Sequence, residues 1–136
     1  MERLSVPPAI ETRLRREWII WFTTVRADGQ PQPVPVWFLW DDGRFLIFSQ
    51  PRTQKLRNIR ANPKVSLHFN SDARGNAVVR FDGVAEIVPD GQPATAFPAM
   101  IEKYRDGIRS LGMTPESFAQ SYSVQIRVQP TTLLCW

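Results

Sequence analysis

Two Asp-Gly turns divide the first half of this chain into short, apolar, strand-length runs. Trp18-Ile-Ile-Trp-Phe-Thr-Thr-Val25 is rich in aromatic and β-branched residues, and Asp28-Gly29 follows it. Val34-Pro-Val-Trp-Phe-Leu-Trp40 comes next, and Asp41-Asp42-Gly43 turns it into Arg44-Phe-Leu-Ile-Phe-Ser49. Runs this short are better suited to antiparallel hairpins than to long helices. A meander of three strands is the expectation. Pro35 sits inside the second run and has no N–H to give a ladder, so that strand belongs at an edge or an interruption. Such a strand is either a plain edge or one that presents its backbone to a ligand.

The rest of the chain alternates between the two periodicities. Residues 2–16 read as a short N-terminal helix or arm with Leu4, Ile10 and Leu14 as apolar contacts. Thr53–Ala61 reads as a helix with Leu56 and Ile59 facing the core, ended by Asn62-Pro63. Val65, Leu67 and Phe69 mark a fourth strand and Ala77–Val88 a fifth. Gly83, inside that fifth strand, predicts a bulge or bend. Phe97, Ile101, Tyr104 and Ile108 form a helical stripe, and Thr114-Pro115-Glu116 opens a further short helix. Ser123–Val128 is a sixth strand and Leu133–Trp136 a seventh. The expected architecture is mainly β: one domain over 1–136, a closed or nearly closed antiparallel barrel with helices at one end and between the late strands.

Charge narrows the function. The net charge is +4, yet Arg52, Lys55, Arg57, Arg60 and Lys64 fall in a segment without an acid, and the remainder carries 12 basic and 13 acidic residues. The excess is thus local, pointing to one anion site more than to a nucleic-acid coat, with a solvated helix face as the plain alternative. Ser49-Gln-Pro-Arg-Thr-Gln-Lys-Leu56 leaves a strand and opens a helix, where free N–H groups and the dipole favour an anion. Arg52, Thr53 and Lys55 would flank a phosphate there, and the strand with Pro35, Trp37 and Phe38 would offer a flat apolar surface for a ring.

Standard catalytic signatures are missing. His68 is the single histidine and Cys135 the single cysteine, so neither a local nucleophile–base motif nor a zinc set is in view. His68 reads as structural or interfacial. Asp41-Asp42 reads as a hairpin turn and not a metal site. One cysteine and no signal-like or membrane-length apolar run lead to the expectation of a cytoplasmic protein with no membrane contact.

The stretch from about Trp18 to Ile87 resembles the pyridoxamine 5'-phosphate oxidase-like, flavin-binding split-barrel superfamily. The matching elements are Pro35-Val-Trp-Phe38, the Asp-Gly hairpin, Phe48-Ser49, Thr53-x-Lys55, and Asn62-Pro63 followed by Val65-Ser-Leu67. The helical insertion and the terminal strand look like the small subgroup that uses the deazaflavin F420. The resemblance implies a split β-barrel of the antiparallel Greek-key type, a homodimer with cofactor sites at its interface, and F420, or alternatively FMN, as cofactor. It implies that Lys55 binds the cofactor phosphate with Thr53 as hydroxyl partner. Ser49, Gln50, Pro35, Val36, Trp37 and Phe38 complete the implied cofactor site. Where the oxidases carry an arginine beside that lysine this chain has Gln54, so Arg52 takes that place. The oxidases' C-terminal arginine motif is replaced by Pro130-Thr-Thr-Leu-Leu-Cys-Trp136. A flavin or deazaflavin reductase acting on a small molecule is therefore expected in preference to pyridoxamine phosphate oxidation. No catalytic side chain is assigned; Tyr104 and Tyr122 are candidate proton donors, and Trp37 or Trp40 a candidate cavity wall. A non-catalytic carrier or sensor of the same cofactor is the first alternative, and a single-stranded nucleic-acid binder the second.

Overall fold

A computed structural model describes residues 3–136. Met1 and Glu2, where the expected N-terminal arm begins, lie outside them. In chain order the elements are α1 (Pro8–Arg16), β1 (Ile20–Val25), β2 (Pro31–Val36), β3 (Leu39–Asp41), β4 (Arg44–Ser49), α2 (Gln54–Ala61), β5 (Lys64–His68) and β6 (Val79–Ile87). A 3-10 turn at Ala94–Ala96, α3 (Pro98–Lys103), α4 (Arg105–Ser110), α5 (Pro115–Ser121) and β7 (Val124–Cys135) follow.

Both Asp-Gly turns form as read. Gly29 donates its N–H to Arg26 O at 2.8 Å with φ +92°, and Asp42 and Gly43 both take the left-handed backbone that a two-residue hairpin turn requires. All strand pairs are antiparallel, in the order β2-β1-β5-β6-β7-β4-β3. The two edges, β2 and β3, are consecutive in the chain and joined only by Trp37 and Phe38. One nominal strand thus pairs with β1 in its first half and with β4 in its second, and the sheet curls round to meet itself. This is a mainly β split barrel. The expected single strand Val34–Trp40 is corrected accordingly. It begins earlier, at Pro31, and divides at Trp37.

Other boundaries shift for identifiable reasons. The first strand starts at Ile20, leaving Trp18 41% exposed. Ala77 takes φ +58° and cannot continue a strand, so β6 begins at Val79. The expected sixth and seventh strands are one, β7, running the length of β6. The register skips at Asp82/Gly83, where Asp82 faces Thr132 and Gly83 faces Pro130, and the extra residue Thr131 is taken up as a bulge. The bulge anticipated at Gly83 is therefore present, with its added residue on the partner strand.

Alternation along β4 splits the apolar side chains between two cores. Phe45 and Ile47 point into the barrel with Phe22, Leu67, Phe81 and Ile126, while Leu46 and Phe48 face a second cluster with Met100, Tyr104, Ile108 and Phe118 of the helical insertion. α1 adds Ile10 and Leu14 to the barrel core, and α2 adds Leu56 and Ile59. Each fully buried side chain of this size contributes about 1.5–3 kcal/mol. Thr114 caps α5 in a capping box with Ser117, as its sequence position predicts for an N-cap. Among the described residues no helix is long and apolar enough to cross a membrane.

Candidate functional site

The segment after β4 builds one end of a cavity. Arg52 turns the chain with φ +64°, and Thr53 then stands in extended conformation as the N-cap of α2. Arg57 reaches back from the helix and donates to Arg52 O at 3.0 Å and to Gln54 Oε1 at 2.7 Å, so this cation braces the turn. Ser49 is buried. Its hydroxyl donates to Gln50 O at 2.8 Å and lies 3.1 Å from Thr53 Oγ1. Thr53 makes no side-chain cap bond, so its hydroxyl is not committed to its own helix.

Lys55, in the first turn of α2, is half-buried, and burial lowers its pKa from the ordinary lysine value. Among the described residues its ammonium has no hydrogen bond or ion pair. No acid occupies the first turn of α2.

The second wall is the end of β2. Proline lacks an N–H, so the pairs Pro31↔Val25, Pro33↔Thr23 and Pro35↔Trp21 must be the non-hydrogen-bonded ones. Val34 and Val36 then bond inward to β1. The outer edge of β2 carries carbonyls at its three prolines and no donors. The first outward N–H is that of Trp37, which has no partner among the described residues; the Phe38 N–H beyond it is taken by Tyr104 Oη at 2.9 Å.

The helical insertion supplies the third wall: Met100 from α3, Leu111 after α4, Phe118 from α5 and Tyr122 just after it. The cavity between these walls has a volume of about 330 Å³. Its polar lining is Ser49, Gln50, Thr53 and Lys55, and its apolar lining includes Ile19, Trp37, Phe118 and Tyr122. Trp37 is held by its neighbours. It stacks on Tyr104 at 4.6 Å and 9°, and on Phe118 at 5.7 Å, and Gly107 leaves room for its edge.

Of the residues expected from sequence, Pro35, Val36, Trp37, Ser49, Gln50, Thr53 and Lys55 line this one cavity. Phe38 and Arg52 do not. Phe38 is fully buried in the barrel core beside Phe45 and Phe69, and Arg52 is exposed on the turn. Trp40 packs on Phe45 at 4.9 Å, away from the cavity. Tyr122 lines the cavity, whereas Tyr104 is buried behind Trp37. Met100, Leu111 and Phe118 escaped the sequence reading as cavity residues. The helical stripe signalled burial, but nothing in it named the partner surface.

His68 lies elsewhere, stacked on Trp21 at 6.2 Å; burial, then the charge of Arg80, lowers its pKa. Among the described residues no group of His, Cys, Asp and Glu is placed to hold a metal.

A phosphate needs cationic and hydroxyl donors, and an isoalloxazine-like ring needs a flat apolar wall with a backbone donor. Both kinds of group line the same cavity. Residues 6–135 match the family model described as pyridoxamine 5'-phosphate oxidase, and the chain belongs to that family. Among solved structures it is similar to an F420 reductase at 32% identity and TM-score 0.74, over 95% of this chain and 98% of the other. It shares its fold with a putative pyridoxamine 5'-phosphate oxidase from Listeria innocua (22% identity, TM-score 0.67, covering 93% and 94%). The heme storage protein HutZ from Vibrio cholerae has the same fold as well (20% identity, TM-score 0.65, covering 98% and 95%). No curated protein matches the chain.

Proposed function

We propose that this chain binds a flavin-type cofactor in the cavity, F420 in preference to FMN, and is an oxidoreductase acting on a small organic substrate. The observation that carries the reading is Lys55: a half-buried ammonium, without a partner among the described residues, that lines one cavity with Thr53 and Trp37. Holding a charge at a desolvated position without a partner costs stability, which a bound phosphate would repay. Lys55, the Thr53 hydroxyl and the first N–H groups of α2 would hold the phosphate. The ring would lie along Pro35–Trp37, where the Trp37 N–H would stabilise negative charge on it. When bound, the cofactor supplies the hydride chemistry. The 32% identity to an F420 reductase over nearly the whole chain supports F420 over FMN.

A cavity of about 330 Å³ is at the small end for ligand sites, which supports a homodimer whose second copy completes each site. The free Cys135 is in keeping with a reducing, cytoplasmic setting.

The test is a fluorescence titration of the purified chain with FMN and with F420, followed by turnover assays with the reduced cofactor. Tighter binding of F420, with turnover of an acceptor, is the expected result. Binding without turnover of any acceptor would make the protein a carrier or sensor. Tight, strongly salt-dependent oligonucleotide binding with neither cofactor bound would overturn the reading.

A further inference from the structure

Phe38 stands where the barrel splits. β2 has ended at Val36 and β3 begins at Leu39, so the backbone groups of Phe38 belong to neither ladder. Buried backbone groups must find partners, and both of these find the helical insertion. The Phe38 N–H donates to Tyr104 Oη at 2.9 Å. The Phe38 carbonyl accepts from Lys103 Nζ at 3.0 Å and lies 2.9 Å from Tyr104 Oη. A phenol has one proton to give. With Lys103 serving the Phe38 carbonyl, Tyr104 can donate instead to Trp18 O, 2.8 Å away, tying the residues before β1 to the same point. Lys103 also lies 3.7 Å from the centre of the Phe38 ring. Tyr104 itself is fully buried, and its ring lies flat against Trp37.

We propose that Tyr104 is the positioning residue of the cavity: its hydroxyl fixes the backbone of Phe38, its ring fixes the indole of Trp37, and together these hold the Trp37 N–H towards the ligand. This rests on the reading of the cavity as a flavin-type site and extends it to the helical insertion. The kink between α3 and α4 at Tyr104 is what brings the phenol to the split, so the insertion shapes the barrel wall as well as covering it.

The test compares the wild-type chain with Tyr104→Phe, which keeps the stacked ring and deletes the hydroxyl. Gly83→Ala serves as a destabilised control at a position that does not line the cavity. Amide hydrogen exchange is read at Phe38 and Val36 without ligand, and affinity is read by fluorescence for whichever of F420 and FMN the wild type binds more tightly. In the wild type the Phe38 amide is expected to be protected to a similar degree as that of Val36, although it lies outside the strands. In Tyr104→Phe, exchange at Phe38 is expected to rise about five- to tenfold relative to Val36, with a similar weakening of binding of that cofactor. Gly83→Ala is expected to leave the exchange ratio and the cofactor affinity unchanged.

An unprotected Phe38 amide in the wild type overturns the proposal without any variant. So does unchanged Phe38 exchange in Tyr104→Phe, or raised exchange with the affinity for that cofactor retained. If the wild-type chain binds neither FMN nor F420, the cofactor reading fails by itself. Tyr104 is then judged on exchange alone, where a rise at Phe38 relative to Val36 supports its positioning role and no rise removes it.

Discussion

The side-chain amide of Asn58, on the buried face of α2, donates to Thr24 Oγ1 on β1 at 2.8 Å. It also donates to Gln32 Oε1 on β2 at 2.9 Å and accepts from Gln54 at 2.8 Å. Asn58 and Thr24 are both almost fully buried. The helix that carries Lys55 is therefore bolted to the strands that carry Pro35. Asn58→Ala would strand the Thr24 hydroxyl in an apolar setting. It is expected to lower stability by about 1–3 kcal/mol, measured by urea unfolding.

Lys55 has the opposite balance. Its ammonium is desolvated and, among the described residues, unpartnered. Lys55→Met is expected to leave the ligand-free chain as stable as the wild type or more so, because a methionine fills the space without a buried charge. The same substitution is expected to weaken cofactor binding by about 1–3 kcal/mol, the scale of a charged hydrogen bond. Thermal midpoints and a fluorescence titration on one preparation read both. Equal affinity in the variant would remove Lys55 from the site.

What the sequence reveals here depends on distance along the chain. The polar lining of the cavity is local: Ser49 to Lys55 leave one strand and enter one helix, so residue types and spacing were enough to group them. The hairpins were equally legible, because Asp-Gly is a local instruction. The division of Pro31–Asp41 into β2 and β3 was not. Which neighbour each half pairs with is decided by closure of the whole sheet. The unity of β7 was hidden for a related reason: Pro130-Thr131-Thr132 reads as a loop until Gly83, from another strand, opens the space that lets it continue. The far wall of the cavity, Met100 to Tyr122, depends on how the insertion docks, and its apolar periodicity is the same for any buried surface.

Lys103 makes stability depend on pH. Burial lowers its pKa to about 8 against an ordinary 10.5, with Glu17 pulling the other way. The groups around it are the Leu14 carbonyl of α1, the Phe38 carbonyl and ring, and Glu17, which also pairs with Arg13 at 3.5 Å. Between pH 8 and 10.5 the unfolded chain holds a proton that the folded chain has lost, so stability should rise with pH. Tyr104 acts in the opposite sense above about pH 10, since burial raises its pKa and the folded state retains its proton. The clean window is therefore about pH 8 to 10. Lys55, shifted down by burial too, adds slope of the same sign. Urea midpoints across this window should rise for the wild type and rise less for Lys103→Met. Parallel curves would refute the assignment.

Gly83 tests the closure of the barrel itself. A Cβ there would come within 2.9 Å of both the Gln129 carbonyl and Val128 Cγ1. The first is backbone of the paired strand and cannot move without disturbing the ladder. The second belongs to a fully buried core side chain. Neither contact resembles the far end of a flexible surface residue, so relief must come from shifting β6 against β7. Gly83→Ala is therefore expected to cost about 1–3 kcal/mol, more than any gain from restricting the unfolded chain. Urea unfolding should show a lower midpoint with an unchanged slope, because the same surface is exposed on unfolding. Gly83 is not among the residues that line the cavity, so cofactor affinity should stay as in the wild type at temperatures where the variant is folded. A loss of affinity in step with the loss of stability would mean that the bulge is coupled to the cavity, and that the barrel closes as one cooperative unit around its ligand.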